Sequence, residues 1–277
     1  MRVAAYQGPY LPFGSRDGVG LVREHVGACR RDGIELLCCP EAFLGGLAHE
    51  STGQDPRTVA LGVANGELAS VLAPIVSAAG SGLTVVVGFT ERDGDRVFNS
   101  AAVVSDGAIA VYRKVFPGQR TIISPGRELP VFLHGEVPFG VIICNDIWYL
   151  EPARVLAARG ASIVTVPTNS GHLLSESAAE ALRPRARSLA IARAVENHTT
   201  VLVADIAGHQ GGRTALGSSC IVDPDGIVLA EADPAFVGLI VADVERGRRD
   251  HGPRGWDGHT NPDVATAFTD LWHAPQP

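Results

Sequence analysis

The strongest constraint on this chain is the order in which two hydrophobic periods alternate along it. Short apolar runs that fit strands are followed by longer segments whose apolar residues return every three or four positions, as a helix facing a core requires. Residues 2–6 read as a strand, 19–31 as a helix and 34–39 as a buried strand, with Gly33 placed to stop the helix in a left-handed turn. Asn65 can cap a second helix running to Ala79, with Glu67 in its first turn, ahead of the β-branched run at 83–89. Residues 97–112 then read as strand, turn, strand about Asp106-Gly107, where a hairpin needs positive φ. A second turn, Asp223-Pro224-Asp225-Gly226, separates apolar runs at 218–222 and 227–230. Between the hairpins lie a strand at 140–144, a helix at 151–159 stopped by Gly160, a strand at 162–166, a helix at 183–196 and a strand at 199–204. This order predicts an α/β fold, either one mixed sheet or two stacked sheets, with helices on the outer faces.

Composition bears on what such a fold can do. Of 277 residues, 45% are apolar and 19% charged, which is enough for a sizeable core. The net charge of -7 offers no basic surface for a phosphate backbone, so nucleic acid is not an expected partner. Five cysteines, Cys29, Cys38, Cys39, Cys144 and Cys220, make an odd set without CxxC spacing, neither a disulfide framework nor a zinc site. The amino terminus lacks a charged stretch followed by a long apolar one, and no segment approaches the roughly 20 apolar residues of a membrane span. A soluble, cytoplasmic protein is expected.

Three polar residues stand at comparable places, each at or just beyond the carboxyl end of an apolar run: Glu41 after IELLCCP, Lys114 after AIAVYR, and Cys144 closing GVIIC. Ligands of open α/β sheets bind at the carboxyl ends of strands, so these groups can converge. A thiolate is a strong nucleophile, a nearby ammonium lowers its pKa, and a carboxylate can take its proton and pass it to a leaving amine. The ammonium and the backbone N–H of Asn145 would then stabilise an oxyanion. Taken singly, each residue also has a plainer account: a buried thiol for Cys144, a helix cap for Glu41 and a solvated strand end for Lys114.

Together the segments resemble the nitrilase superfamily of carbon-nitrogen hydrolases. The blocks are CPEAFLGG, VYRKVFP, VIICNDIWYLEPARVLAARGA, IVTVPTNSGH, RSLAIARAVENHTTVLVADIAG and LGSSCIVDPDGIVLAEAD, in family order across residues 2–245. The resemblance implies a four-layer α-β-β-α sandwich, catalysis by Glu41, Lys114 and Cys144, no cofactor or metal, and a homodimer formed through the helices at 151–159 and 183–196. The polar tail at 246–277, with Trp256 and Trp272, can wrap the domain or a partner subunit.

The run after Cys144 is similar to amidase and carbamoylase members more than to true nitrilases, which favours a small amide or N-carbamoyl substrate over a nitrile. Two positions depart from the family pattern. Phe116 stands where many members carry histidine, and Gln119 where many carry a second glutamate; a glutamine can hold an amide but cannot act as a base. Alternatives on the same scaffold are a nitrilase, an acyl or amide transferase, and an interaction protein weakened as a catalyst by Gln119. Asn145 and Asp146 suit a tight turn, with the Asn145 amide as the functional part. Trp148 and Tyr149 either line the acyl pocket or fill space beneath it, and Asn169 and Ser170 are candidate substrate contacts after the IVTVP strand. His172 and His209 read as loop histidines without metal-ligand spacing. Arg246, Arg248 and Arg249 form either a solvated face or a seat for an acidic substrate tail.

Overall fold

The computed structural model describes residues 1–49, 52–172 and 175–247. Alternating side chains along each strand divide its interior into three apolar layers. In β1 (Arg2–Pro9), Ala4 and Tyr6 face one way and Val3 and Ala5 the other; in β4 (Thr84–Asp93), Val85 and Val87 oppose Val86. The first set packs beneath helices α1 (Gly18–Arg31) and α2 (Glu67–Ala79). These helices present Val22, Val26 and Cys29, and Leu68, Leu72 and Ile75, at the spacing that makes one face apolar. The second set meets Phe139, Val141, Ile163 and Leu202 of another sheet. On that sheet's far side, Val164, Val166, Val201 and Val203 are covered by Ala153 and Leu156 of α3 (Leu150–Ala158) and by Ala190 and Ala194 of α4 (Glu176–Asn197). Helix, sheet, sheet, helix is the four-layer sandwich that the resemblance implies.

The first sheet runs β1, β2 (Leu36–Cys38), β4, β5 (Arg96–Ser105), β6 (Ala108–Arg113), with β3 (Leu61–Gly62) beside β4. On β1 also lie β11 (Ile206–Ala207) and β16 (Gly238–Asp243), the latter antiparallel from Arg2↔Asp243 to Gln7↔Gly238. The second sheet runs β7 (Val131–His134), β8 (Val137–Val141), β9 (Ile163–Pro167), β10 (Thr200–Ala204), β14 (Cys220–Val222), β15 (Val228–Glu231). A small ribbon joins β12 (His209–Gln210) to β13 (Arg213–Thr214). Strands β1, β2 and β4 are parallel, as are β8, β9 and β10. Strand β6, two antiparallel steps from β4, regains its direction. The residues following β2, β6, β8, β9 and β10 therefore gather at corresponding sheet ends.

The predicted hairpin forms as read, with φ +47 at Asp106 and +81 at Gly107. Three local expectations change. The cap of α2 is Gly66, at φ +80, while Asn65 one residue earlier accepts the Glu67 N–H through its side chain. Helix α4 starts at Glu176, capped by Ser175, about two turns ahead of the predicted 183; Pro184 looks like a first-turn residue but lies inside it. Strand β8 ends at Val141, so Cys144 is not its last residue. Among the described residues no helix is long and apolar enough to cross a membrane. Arg246 pairs with Glu35, whereas Arg248, Arg249, Trp256 and Trp272 lie outside the described residues.

Candidate active site

After β2 the chain turns sharply through Pro40, Glu41 and Ala42, which sits at φ +46. Strand β4 holds that turn through Gly88, whose N–H donates to Pro40 O at 3.0 Å. Only a glycine fits: a Cβ at 88 would lie 2.3 Å from Ala42 N and 2.6 Å from Pro40 O. The Glu41 side chain, 1% exposed, is thereby fixed between the two sheets. Its Oε1 accepts from Lys114 Nζ at 2.5 Å and from Asn99 Nδ2 at 2.7 Å, and its Oε2 accepts from Asn169 N at 3.0 Å.

Lys114, directly past β6, donates its N–H to Asn99 O at 2.8 Å and accepts from Gly126 N at 2.8 Å. Burial works against its charge, but Glu41, followed by Cys144 and Asp146, holds the ammonium above the ordinary lysine value. Lys114 is a fixed positive charge.

Cys144 opens a 3₁₀ turn, Cys144–Trp148, with φ +42. A left-handed backbone at a residue bearing a side chain costs on the order of 1 kcal/mol. Asp146 holds the turn in place. Its Oδ2 accepts from Ile143 N at 2.8 Å and Tyr112 Oη at 2.7 Å, and its Oδ1 accepts from Phe116 N at 2.8 Å. Asn145 Nδ2 donates to Phe116 O at 2.9 Å, so the side chain ties the turn to the loop after Lys114. The rings of Phe116 and Tyr149 then stack, with centroids 4.0 Å apart and planes 14° apart. The aromatic departure at 116 thus has a partner on the turn after Cys144.

At the half-buried thiol the Lys114 ammonium lowers the pKa as expected but is outweighed. Burial and Glu41 push its pKa up by more than Lys114 and the Asn169 N–H pull it down. This favours the thiol over the thiolate, and a thiol in such surroundings would need a base to act as a nucleophile.

Other residues singled out in the sequence divide between the centre and its frame. Asn169 is 6% exposed and belongs to the centre through its N–H on Glu41. Ser170 belongs to the frame: its hydroxyl donates to Asp205 Oδ2 at 2.7 Å and accepts from Leu216 N at 2.7 Å, which occupies it away from a substrate. Gln119 donates through Nε2 to Ala48 O at 2.7 Å and so pins a neighbouring loop. Trp148 is 44% exposed, with the Arg185 guanidinium 4.4 Å from its ring centroid. His209 shares a hydrogen bond with Thr214 across the small ribbon.

Two further residues carry the centre without having been anticipated. Asn99 lies on the same strand face as Ala101 and Val103, which pack between the sheets. A lone amide in that apolar alternation was the available signal. Asp205, following β10, accepts from Ser170 N and Oγ, Ile206 N, and Ser218 N and Oγ, and so fixes the turn that aims the Asn169 N–H. Among the described residues, no cluster of three or more His, Cys, Asp or Glu is arranged to hold a metal.

A thiol, a buried carboxylate and a buried ammonium at one sheet end can carry out acyl transfer chemistry. The family profile described as carbon-nitrogen hydrolase matches residues 2–252, and the chain belongs to that family. It is an enzyme of the amidase and nitrilase type, acting on carbon–nitrogen bonds. It is 33% identical over 219 residues to a nitrilase of Pyrococcus abyssi, covering 78% of each chain. It is 32% identical over 211 residues to an (R)-stereoselective amidase of a Pseudomonas species, covering 75% of this chain and 72% of that one. A glutamine-dependent NAD(+) synthetase of Xylella fastidiosa is 30% identical over 233 residues, but this chain spans only 40% of its length. Among solved structures, an amidase from Nesterenkonia sp. superposes with a TM-score of 0.77 at 24% identity, covering 97% of this chain and 96% of that one.

Proposed function

We propose that the chain hydrolyses a small amide or N-carbamoyl compound through a thioester on Cys144. The observation that carries this reading is the buried Glu41–Lys114 pair, 2.5 Å apart, beside a thiol that is protonated at rest. In the first half-reaction Sγ attacks the carbonyl carbon as Glu41 accepts the thiol proton. The oxyanion that forms is stabilised by the Lys114 ammonium and the Asn145 N–H. Glu41 then gives the proton to the departing amine, the C–N bond breaks, and the acyl group remains on sulfur. In the second half-reaction Glu41 takes a proton from water as its oxygen attacks the thioester, and the acid leaves as the thiol is restored. One water is consumed, and one amine and one acid are released. Asn99 and the Asn169 N–H position the carboxylate that moves both protons.

Two associated assignments complete the reading. Five free thiols, four of them buried, fit a reducing compartment, and we assign the cytoplasm. Leu150, Val195, Ile227 and Leu229, all at least 40% exposed, lie on α3, on α4 and on the adjoining hairpin, and support a homodimer through that face. The deciding measurement is ammonia release from a panel of primary amides, N-carbamoyl amines and nitriles by the wild-type and Cys144→Ala proteins. Turnover of amides or carbamoyl compounds that vanishes with Cys144 is expected; activity surviving the substitution, or confined to nitriles, overturns the proposal.

A further inference from the structure

Lys114 is the chain's one lysine; every other strongly basic side chain is arginine. A guanidinium keeps its charge wherever it is placed, whereas a buried ammonium keeps its charge only where anions hold it. In the proposed cycle the anion nearest Lys114 does not last. Each time Glu41 takes a proton, from the thiol or from water, the carboxylate 2.5 Å from Nζ becomes a neutral acid. Burial is the largest influence on Lys114, and it works against the ammonium. Another group must then hold the charge while the ammonium faces the oxyanion.

Asp146 is placed to do so. Its carboxylate joins the turn after β8 to the first sheet, accepting from Tyr112 Oη at 2.7 Å through Oδ2 and from Phe116 N at 2.8 Å through Oδ1. Residues 112 and 116 bracket Lys114, two positions before it and two after, so the carboxylate spans the segment that bears the ammonium. Ile143 N, at 2.8 Å from Oδ2, is the third donor. All three neighbours donate, which is the setting of an ionised carboxylate. Asp146 is 0% exposed; burial raises its pKa, and Lys114 heads the influences that pull it back, ahead of the three donors. In return, Asp146 follows Glu41 and Cys144 among the charges that hold Lys114 protonated. From the other elements packed here, Asp205 after β10 acts on Cys144, and Arg193 of α4 donates to Ile147 O at 3.0 Å while pairing with Glu196. Asp146 itself exchanges no proton in the proposed cycle.

We infer that Asp146 is a positioning residue for the reaction: oriented by Tyr112, it is the standing counter-charge of Lys114, and it lets Glu41 take up and release a proton while the ammonium keeps its own. The inference rests on the thioester reading, so its test uses a readout that needs no turnover. Because the chain has one lysine, protein made with isotope-labelled lysine gives a single side-chain NMR signal, whose shift against pH reports the charge of Lys114. The background is Glu41→Gln/Cys144→Ala, in which glutamine imitates the protonated base and no thiolate can form. There Lys114 is expected to stay charged through about pH 9. Adding Asp146→Asn should move its titration down by at least about one pH unit. Adding Tyr112→Phe, which keeps the carboxylate but cuts one of its ties, should move it far less. Circular dichroism checks that each variant is folded. Equal titrations with and without the Asp146 carboxylate, or equal shifts from the Asn and Phe changes, overturn the inference. Should Asp146→Asn not fold, the background alone decides: an ammonium that neutralises near pH 7 with Asp146 intact overturns it, and one that stays charged supports it. The expected titrations in a chain that hydrolyses no amide would remove the hydrolase reading and keep the counter-charge.

Discussion

Glu41 and Cys144 are coupled through charge: the Glu41 carboxylate is second only to burial among the causes that raise the thiol pKa. Three donors converge on the carboxylate, while burial and the carboxylate itself keep the thiol protonated. Glu41→Gln should therefore act in opposite directions on two observables. With the anion gone and Lys114 relieved of its partner, the thiol should titrate at lower pH, visible as thiolate absorbance in the ultraviolet. Turnover should nevertheless fall by about 10²- to 10⁴-fold, because the group proposed to move the proton is missing. A thiol that titrates higher in the variant would contradict the arrangement. That Glu41, Lys114 and Cys144 lie near one another was anticipated because each stands at or just beyond the end of an apolar run and because the resembled family blocks carry all three in order; the catalytic roles given them remain the proposal above. Asn99 and Asp205 were not, because their roles depend on which strand lies opposite. The raised thiol pKa was hidden for a similar reason: the competition between Glu41 and Lys114 depends on distances that spacing along the chain does not carry.

At the scale of elements, the centre depends on how closely β4 approaches the turn after β2. Gly88 permits that approach, since a methyl group there would press on the backbone of Pro40, Glu41 and Ala42. Gly88→Ala should cost about 1–3 kcal/mol of stability by overpacking and should also lower kcat, because the displaced backbone carries Glu41. Urea unfolding and steady-state kinetics on the same preparation test both; an inactive variant of unchanged stability would mean that the contact is not as close as described. Elements with a clean period were legible: α1, β4, and the hairpin at Asp106-Gly107 appear close to where the pattern puts them. The start of α4 was obscured by Pro184, whose missing N–H usually marks a first turn and here lies inside the helix. Strand β16 has an apolar run, GLIVAD, but its place against β1 is a pairing over more than 200 residues, which no local pattern encodes.

At the scale of the molecule, several large apolar side chains stay exposed on α3, on α4 and on the adjoining hairpin after the four layers are complete. These are Leu150, Val195, Ile227 and Leu229, the residues on which the proposed homodimer rests. Light scattering should return the mass of a dimer, and Val195→Glu should shift it toward the monomer while leaving the far-ultraviolet dichroism intact; a wild-type monomer would rule out the pairing. The four layers also bear a cost set at one point. Cys144 keeps φ +42 because Asp146, Tyr112 and Phe116 grip the turn around it, and those contacts rest in turn on both sheets. Glycine would occupy that backbone without strain, whereas alanine would not. Cys144→Gly should accordingly unfold at higher denaturant than Cys144→Ala, by about 1 kcal/mol, although neither turns over substrate. Relaxing this residue would favour durability, so at position 144 stability and the proposed thioester chemistry ask for different side chains.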